Sequence, residues 1–189
     1  MKKLKLDFDN TFVNSTKSFV DVHNIVFSSN ARWDKVKRYD FKDEIPNLTS
    51  AVKHGIFGSP LFFEKLEFYD DAKNIINRIA EKTQVEIISM CAYETVERKG
   101  NFIKEHLPKA KFQPIIYPNF SDKSHIDMRN SVFIDDVEKN LHNCSADHTI
   151  CFKYQGITQD INDKWNGDVL TKWDEETYKY LMYLLQGGK

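Results

Sequence analysis

Hydrophobic positions along the chain change period several times, and each change predicts an element. Between Asn14 and Phe27, Phe19, Val22, His23 and Val26 recur at helical spacing, with Asn14 or Ser15 placed to cap the helix. His23 lies on the apolar stripe, which reads as an interior histidine rather than a ligand. Residues 30–68 keep no period. Trp33, Tyr39, Phe41, Ile45, Phe57, Phe62 and Phe63 are spread among charges, with Pro46, Gly55, Gly58 and Pro60 as breaks. That pattern predicts short helices and loops around an aromatic core, with one or two aromatics left to line a pocket.

Order returns at Tyr69. Ala72, Ile75, Ile76, Ile79 and Ala80 mark an amphipathic helix, and Val85–Ser89 is a short β-rich run. A helix from Thr95 to Leu107 should stop at Pro108. Phe112–Tyr117 reads as a strand, and Pro114 assigns it to a sheet edge. Ser131–Ile134 and His148–Tyr154 are further strand candidates, and Asp174–Leu185 a closing helix. Helices alternating with short apolar strands predict an α/β fold: a parallel sheet covered by helices on both faces. In such sheets, sites gather at the carboxyl ends of the strands.

Composition narrows the class. The 189 residues suffice for one well-cored domain with a small insertion, and 41% apolar with 29% charged residues is ordinary for a globular protein. A net charge of -1 gives no electrostatic case for nucleic-acid or anionic-membrane binding. Cys91, Cys144 and Cys151 are odd in number and lack a CxxC partner, so they read as reduced thiols, mostly in the core. No apolar run is long enough to span a bilayer, and Met1-Lys2-Lys3-Leu4 reaches Asp7 before a signal-peptide core could form. These features predict a soluble, cytoplasmic protein.

Candidate chemistry begins at Leu4-Lys5-Leu6-Asp7-Phe8-Asp9-Asn10-Thr11-Phe12. On a strand, Asp7 and Asp9 would share a face, offering hard oxygen ligands to magnesium, a nucleophile and a proton carrier. Asp and Asn also favour turns, which is the plainer reading of the same residues. The polar residues at the other strand ends are Ser89 and the adjacent pair Asp135-Asp136. Neighbouring carboxylates repel unless a cation or donors hold them, although Asp136 could instead cap a helix. So many acids at one edge require positive charge. Magnesium and one lysine would complete a phosphoryl-transfer site, the lysine being Lys123 or, competing with it, Lys99.

Asp7-Phe8-Asp9-Asn10-Thr11, Ser89, a lysine and Asp135-Asp136, in this order, resemble the four motifs of the haloacid dehalogenase superfamily. Within it, Phe62–Glu67, Asp122-Lys123-Ser124 in the loop Ser121–Ser124, and Thr171–Asp174 are similar to segments of the 5'(3')-deoxyribonucleotidases. The resemblance implies a Rossmann-like core of residues 1–13 and 69–189, with residues 14–68 as a small helical cap. It implies Asp7 as nucleophile, forming an aspartyl-phosphate, and Asp9 as general acid and then base. Ser89 and Lys123 would bind the phosphate, with Thr11 beside them holding the Asp9 loop. Magnesium would sit on Asp7, the Asp9 backbone carbonyl, Asp135 and Asp136.

The implied substrate is a deoxyribonucleoside monophosphate, with a sugar phosphate or a nucleic-acid end phosphate as alternatives. A non-catalytic phosphate-ligand module is a further one, and a homodimer is among the assemblies to expect. Asn10-Thr11 stands where the family usually has Gly-Val, and Ser15 where it has an aromatic. Base stacking would therefore fall to another residue, such as Phe19 or Phe57.

Overall fold

The computed structural model describes residues 1–38, 40–116, 119, 122–154 and 164–188. Tyr39, Tyr117 and Ser121, which the sequence reading used, lie outside the described residues. The described strands are β1 (Lys3–Leu6), β2 (Val85–Cys91), β3 (Lys111–Ile116), β4 (Ser131–Asp135), β5 (His148–Phe152) and β6 (Asp168–Leu170). They form one six-stranded sheet in the order β3-β2-β1-β4-β5-β6, every pairing parallel. The strand order therefore reverses beside β1, where open α/β sheets place ligands.

The helices are α1 (Ser15–Phe27), α2 (Ser50–Gly58), α3 (Pro60–Glu64), α4 (Ala72–Ala80), α5 (Val96–His106), α6 (Glu138–His142) and α7 (Glu175–Leu185). Short 3-10 turns at Trp33–Lys35 and Tyr93–Thr95 complete the described regular structure. Both sheet faces are apolar, because neighbouring residues of one strand point opposite ways. Ile87, Val132, Ile134, Ile150 and Phe152 join a core with Ile75, Ile76 and Ile79 of α4 and Leu181, Leu184 and Leu185 of α7. Ile88, Phe133 and Cys151 face a second cluster with Leu141 of α6. Each fully buried isoleucine of α4 contributes about 1.5–3 kcal/mol of apolar transfer.

Several expectations are met closely. Asn14 caps α1, its side chain accepting from the Lys17 amide at 2.9 Å. Pro114 lies in β3, at the sheet edge. The α1 stripe is buried at Phe19 and Val22 as expected, with Val20 added to it, while Val26 is exposed with its neighbours Ile25 and Phe27 in the last turn. His23 is half-buried, its Nδ1 2.8 Å from the Ser29 hydroxyl. β6 was not foreseen; three residues at an edge carry too little periodicity to be recognised. No described helix is long and apolar enough to cross a membrane.

The two ends of the segment from residue 14 to residue 68 lie side by side. Val13 bridges Phe68 in antiparallel fashion, the Asn14 amide donates to the Glu67 carbonyl at 2.9 Å, and the Tyr69 amide to the Phe12 carbonyl at 3.0 Å. Within the segment, the Phe19 ring centroid lies 4.2 Å from that of Phe41 and 4.9 Å from that of Phe57, and Phe57 lies 5.1 Å from Phe62.

Candidate active site

β1 and β4 run in register, Leu6 beside Ile134, and the Asp7 amide donates to the Ile134 carbonyl at 2.9 Å. Parallel pairing thus delivers Asp7 and Asp135 side by side at the carboxyl end of the sheet. Both are buried. The Lys123 ammonium, fully buried, lies between them, bonded to Asp7 Oδ1 and, at 2.6 Å, to Asp135 Oδ2. Of the two candidate lysines, Lys123 is the one bonded to Asp7.

Asp7, Asp135 and Asp136 each bring a carboxylate oxygen within 4.8 Å of the others. Three carboxylates to one ammonium leave an excess of negative charge. Burial pushes the Asp7 carboxyl up to about 7, with Asp135 and Asp9 adding to burial and Lys123 opposing it. Burial disfavours the Lys123 charge, yet Asp135 and Asp7 outweigh it and raise that ammonium above the usual lysine range. Closely spaced, anionic, all-oxygen donors fit a hard divalent cation such as magnesium, whose charge would lower the cost of ionising Asp7.

Asp135 is held twice more: Oδ1 accepts from the Val137 amide at 2.8 Å, and the Asn140 side chain donates to Oδ2 at 3.0 Å. The helix-capping role considered for Asp136 thus falls in part to Asp135, while the residue at the α6 N-cap is Val137. Asn140 was not foreseen. It lies five residues past Asp135, and only the turn into α6 brings it back.

Asp9 has its own partners. Lys99 Nζ donates to Asp9 Oδ2, and Ser15 Oγ donates to Oδ1 at 2.6 Å. The same lysine donates to Ser89 Oγ at 2.8 Å and to the Met90 carbonyl at 3.3 Å. Lys99 and Lys123 are therefore not alternatives; each serves a different aspartate. Asn10 adopts φ 53°, the left-handed region where glycine is easiest and asparagine is tolerated. Its Oδ1 accepts from the Thr16 amide and hydroxyl, both at 3.0 Å, and so anchors the start of α1. Asparagine suits that conformation as glycine would.

A cavity of 390 Å³ opens over these groups. Asp7, Asp9, Lys99, Asp135 and Asp136 line it together with Phe41, Lys53, His54, Phe57 and Phe62, which come from residues 14–68. Four predicted residues are not among its lining: Lys123, buried beneath Asp7 and Asp135, and Ser89, Thr11 and Phe19. Ser89 is fully buried within β2, two residues before the strand ends, and reaches the site through Lys99. Thr11 is fully buried, and its Oγ1 has no hydrogen-bond partner among the described residues; its carbonyl accepts from Trp173 Nε1 at 2.9 Å, tying the Asp9 loop to the end of the chain. Phe19 is fully buried behind Phe41 and Phe57. Phe41, which a period-free stretch could not single out, stands on the cavity wall with Phe57.

The model of one protein family, described as 5' nucleotidase, deoxy (pyrimidine), cytosolic type C protein, matches residues 2–175. A 5'(3')-deoxyribonucleotidase of Clostridium acetobutylicum is 26% identical over 140 residues, covering 74% of this chain and 76% of the relative. Among solved structures, a haloacid dehalogenase-like hydrolase of Streptococcus pneumoniae superposes with a TM-score of 0.68 at 8% identity, covering 95% of this chain and 98% of the other. The HAD-hydrolase YfnB of Bacillus subtilis, solved bound to magnesium, gives 0.64 at 11% identity, covering 96% and 98%. These two likenesses bear on the fold, which is α/β and haloacid dehalogenase-like.

Proposed function

The chain belongs to the 5' nucleotidase, deoxy (pyrimidine), cytosolic type C family and is a phosphoric monoester hydrolase, and from that premise we propose that it hydrolyses deoxyribonucleoside monophosphates with magnesium, through an aspartyl-phosphate. The observation that carries the mechanism is the division of labour at the cavity floor: Asp7 held by Lys123, and Asp9 held by Lys99 and Ser15.

In the first step an Asp7 oxygen bonds to phosphorus as the bond from phosphorus to the ester oxygen breaks. Asp9 gives that oxygen a proton, and the nucleoside leaves as an alcohol. In the second step Asp9 takes a proton from water as the water oxygen bonds to phosphorus. The Asp7–phosphorus bond then breaks, releasing orthophosphate and restoring both carboxyls. Lys123 keeps Asp7 oriented and offsets its charge, and Lys99 lies where it can face a phosphoryl oxygen from the Asp9 side. Asp7, Asp135 and Asp136 would hold magnesium, whose charge would offset that of the incoming phosphate.

Residues 14–68 act as a cap over the site. The paired entry and exit at Val13 and Phe68 support that boundary. Phe57 and Phe41, with Phe62, offer the base an aromatic wall, and Phe19 supports it from behind. Such a wall suits a nucleobase better than a bare sugar. Three unpaired cysteines are in keeping with a reducing, cytoplasmic location.

Phosphate release from deoxyribonucleotides, their ribo and 3' counterparts and several sugar phosphates, each with magnesium or EDTA, tests the reading. Magnesium-dependent turnover concentrated on deoxynucleotides is expected. Turnover spread over sugar phosphates would overturn the substrate assignment, and turnover insensitive to EDTA would overturn the role of the metal.

A further inference from the structure

We infer that Ser15 is a positioning residue for the acid/base group: its hydroxyl orients the Asp9 carboxyl toward the ester oxygen that leaves. The inference rests on the reading of Asp9 as the proton donor of a phosphomonoesterase. Its basis is local and geometric. Ser15 Oγ donates to Asp9 Oδ1 at 2.6 Å, and Lys99 donates to Oδ2. The two donors come from different parts of the fold, α1 and α5, and hold both oxygens, so they fix the plane of the carboxyl where one alone would leave it free to turn.

Ser15 is itself held firmly. It is buried, it opens α1, and its amide donates to the Val13 carbonyl at 3.1 Å. Val13 bridges back to Asp9, and Asn10 Oδ1 takes the Thr16 amide. The loop from Asp9 to Thr16 thus closes on itself and sets the Ser15 hydroxyl against the carboxyl.

The residue type matters. A lysine ammonium only donates, whereas a hydroxyl donates and accepts. Donating from Ser15, the neutral hydroxyl holds Oδ1 without setting a second positive charge beside the proton that Asp9 must give up. The side chain is small, and the aromatic lining of the cavity comes from Phe41, Phe57 and Phe62.

The test compares two leaving groups. An alkyl phosphate, whether dUMP or a simple alkyl ester, expels an alkoxide that needs a proton; 4-nitrophenyl phosphate expels a stable phenolate that does not. Values of kcat/KM report only the steps up to the first bond cleavage, where Asp9 is the acid. Ser15→Ala is expected to lose about 10- to 100-fold on the alkyl ester, with a loss at least about tenfold smaller on the aryl ester, and with KM for dUMP nearly constant. Ser15→Thr, which keeps the hydroxyl, should restore the alkyl rate.

Equal losses on both esters, a loss confined to KM, or failure of Ser15→Thr to restore turnover would each overturn the inference while leaving the phosphomonoesterase reading in place. Should Ser15→Ala not fold, Ser15→Cys, with its weak S–H donor, carries the same comparison. Wild-type protein inactive on both esters would overturn that reading and the inference with it.

Discussion

The backbone amide of Asp7 donates to the carbonyl of Ile134 at 2.9 Å, across the point where the strand order of the sheet reverses. Two residues 127 positions apart in the chain are thereby locked in register, and the side chains of Asp7 and of Asp135, next after Ile134, converge on one buried lysine. The site's chemistry descends from that pairing.

If Asp7 is the nucleophile, Asp7→Asn removes it while keeping the shape and the hydrogen bond to Lys123. Turnover should fall by about 10³-fold or more, with the melting temperature close to that of the wild type. Phosphate release measured beside a thermal melt checks both parts; a variant that still turns over at near the wild-type rate rules out the nucleophile.

Lys123→Ala should damage folding as well as activity. Lys123 is fully buried between two buried carboxylates, and removing one partner of a buried ion pair costs about 3–5 kcal/mol. Denaturant unfolding measures the loss. Lys99→Ala, whose Asp9 partner is partly open to solvent, should cost less stability. Equal destabilisation by the two would contradict this picture.

Magnesium should raise the melting temperature of the wild-type protein, and EDTA should reverse the effect. An ion present at a hundred times its dissociation constant stabilises by about 2.7 kcal/mol. Asp136→Asn should shrink the shift, since Asp136 belongs to the oxygen trio. An undiminished shift would place the cation elsewhere.

Phe57→Ala should raise KM for a deoxynucleotide and leave kcat largely intact. Stacking of one base on an aromatic ring contributes about 1–3 kcal/mol, or about 5- to 150-fold in affinity. Phe19→Leu, behind the wall, should instead lower stability with little change in KM. Steady-state kinetics on both variants separate the two roles.

Asp174 caps α7, accepting from the Thr177 amide at 2.9 Å. Lys172 first, and then that amide, hold its carboxyl down at about 2 from an ordinary 3.8. A depressed folded-state value means the contribution is present above pH 3.8 and is lost as pH falls toward 2. Asp174→Ala should cost about 1 kcal/mol at neutral pH, and the difference from wild type should vanish over that acid window. A pH series of thermal melts would reveal a difference that persists.

By itself the sequence determined the alternation of helices and strands, because apolar period is a local property that α1, α4 and the strand β4 carry in their own residues. It also determined which acids and which lysines were candidates, since Asp7, Asp9, Asp135 and Asp136 had to lie at strand ends if the sheet was parallel. Tertiary structure alone decided how they are paired. Lys123 goes to Asp7 and Lys99 to Asp9 because separate elements, the loop before β4 and α5, deliver the two ammonium groups, a fact no spacing encodes. The same holds for Asn140 on Asp135, for Ser15 on Asp9, and for the placement of Phe41 and Phe57 in the cavity with Phe19 behind them. Those contacts depend on where chain segments meet after the core closes, and a sequence pattern records only what each segment buries.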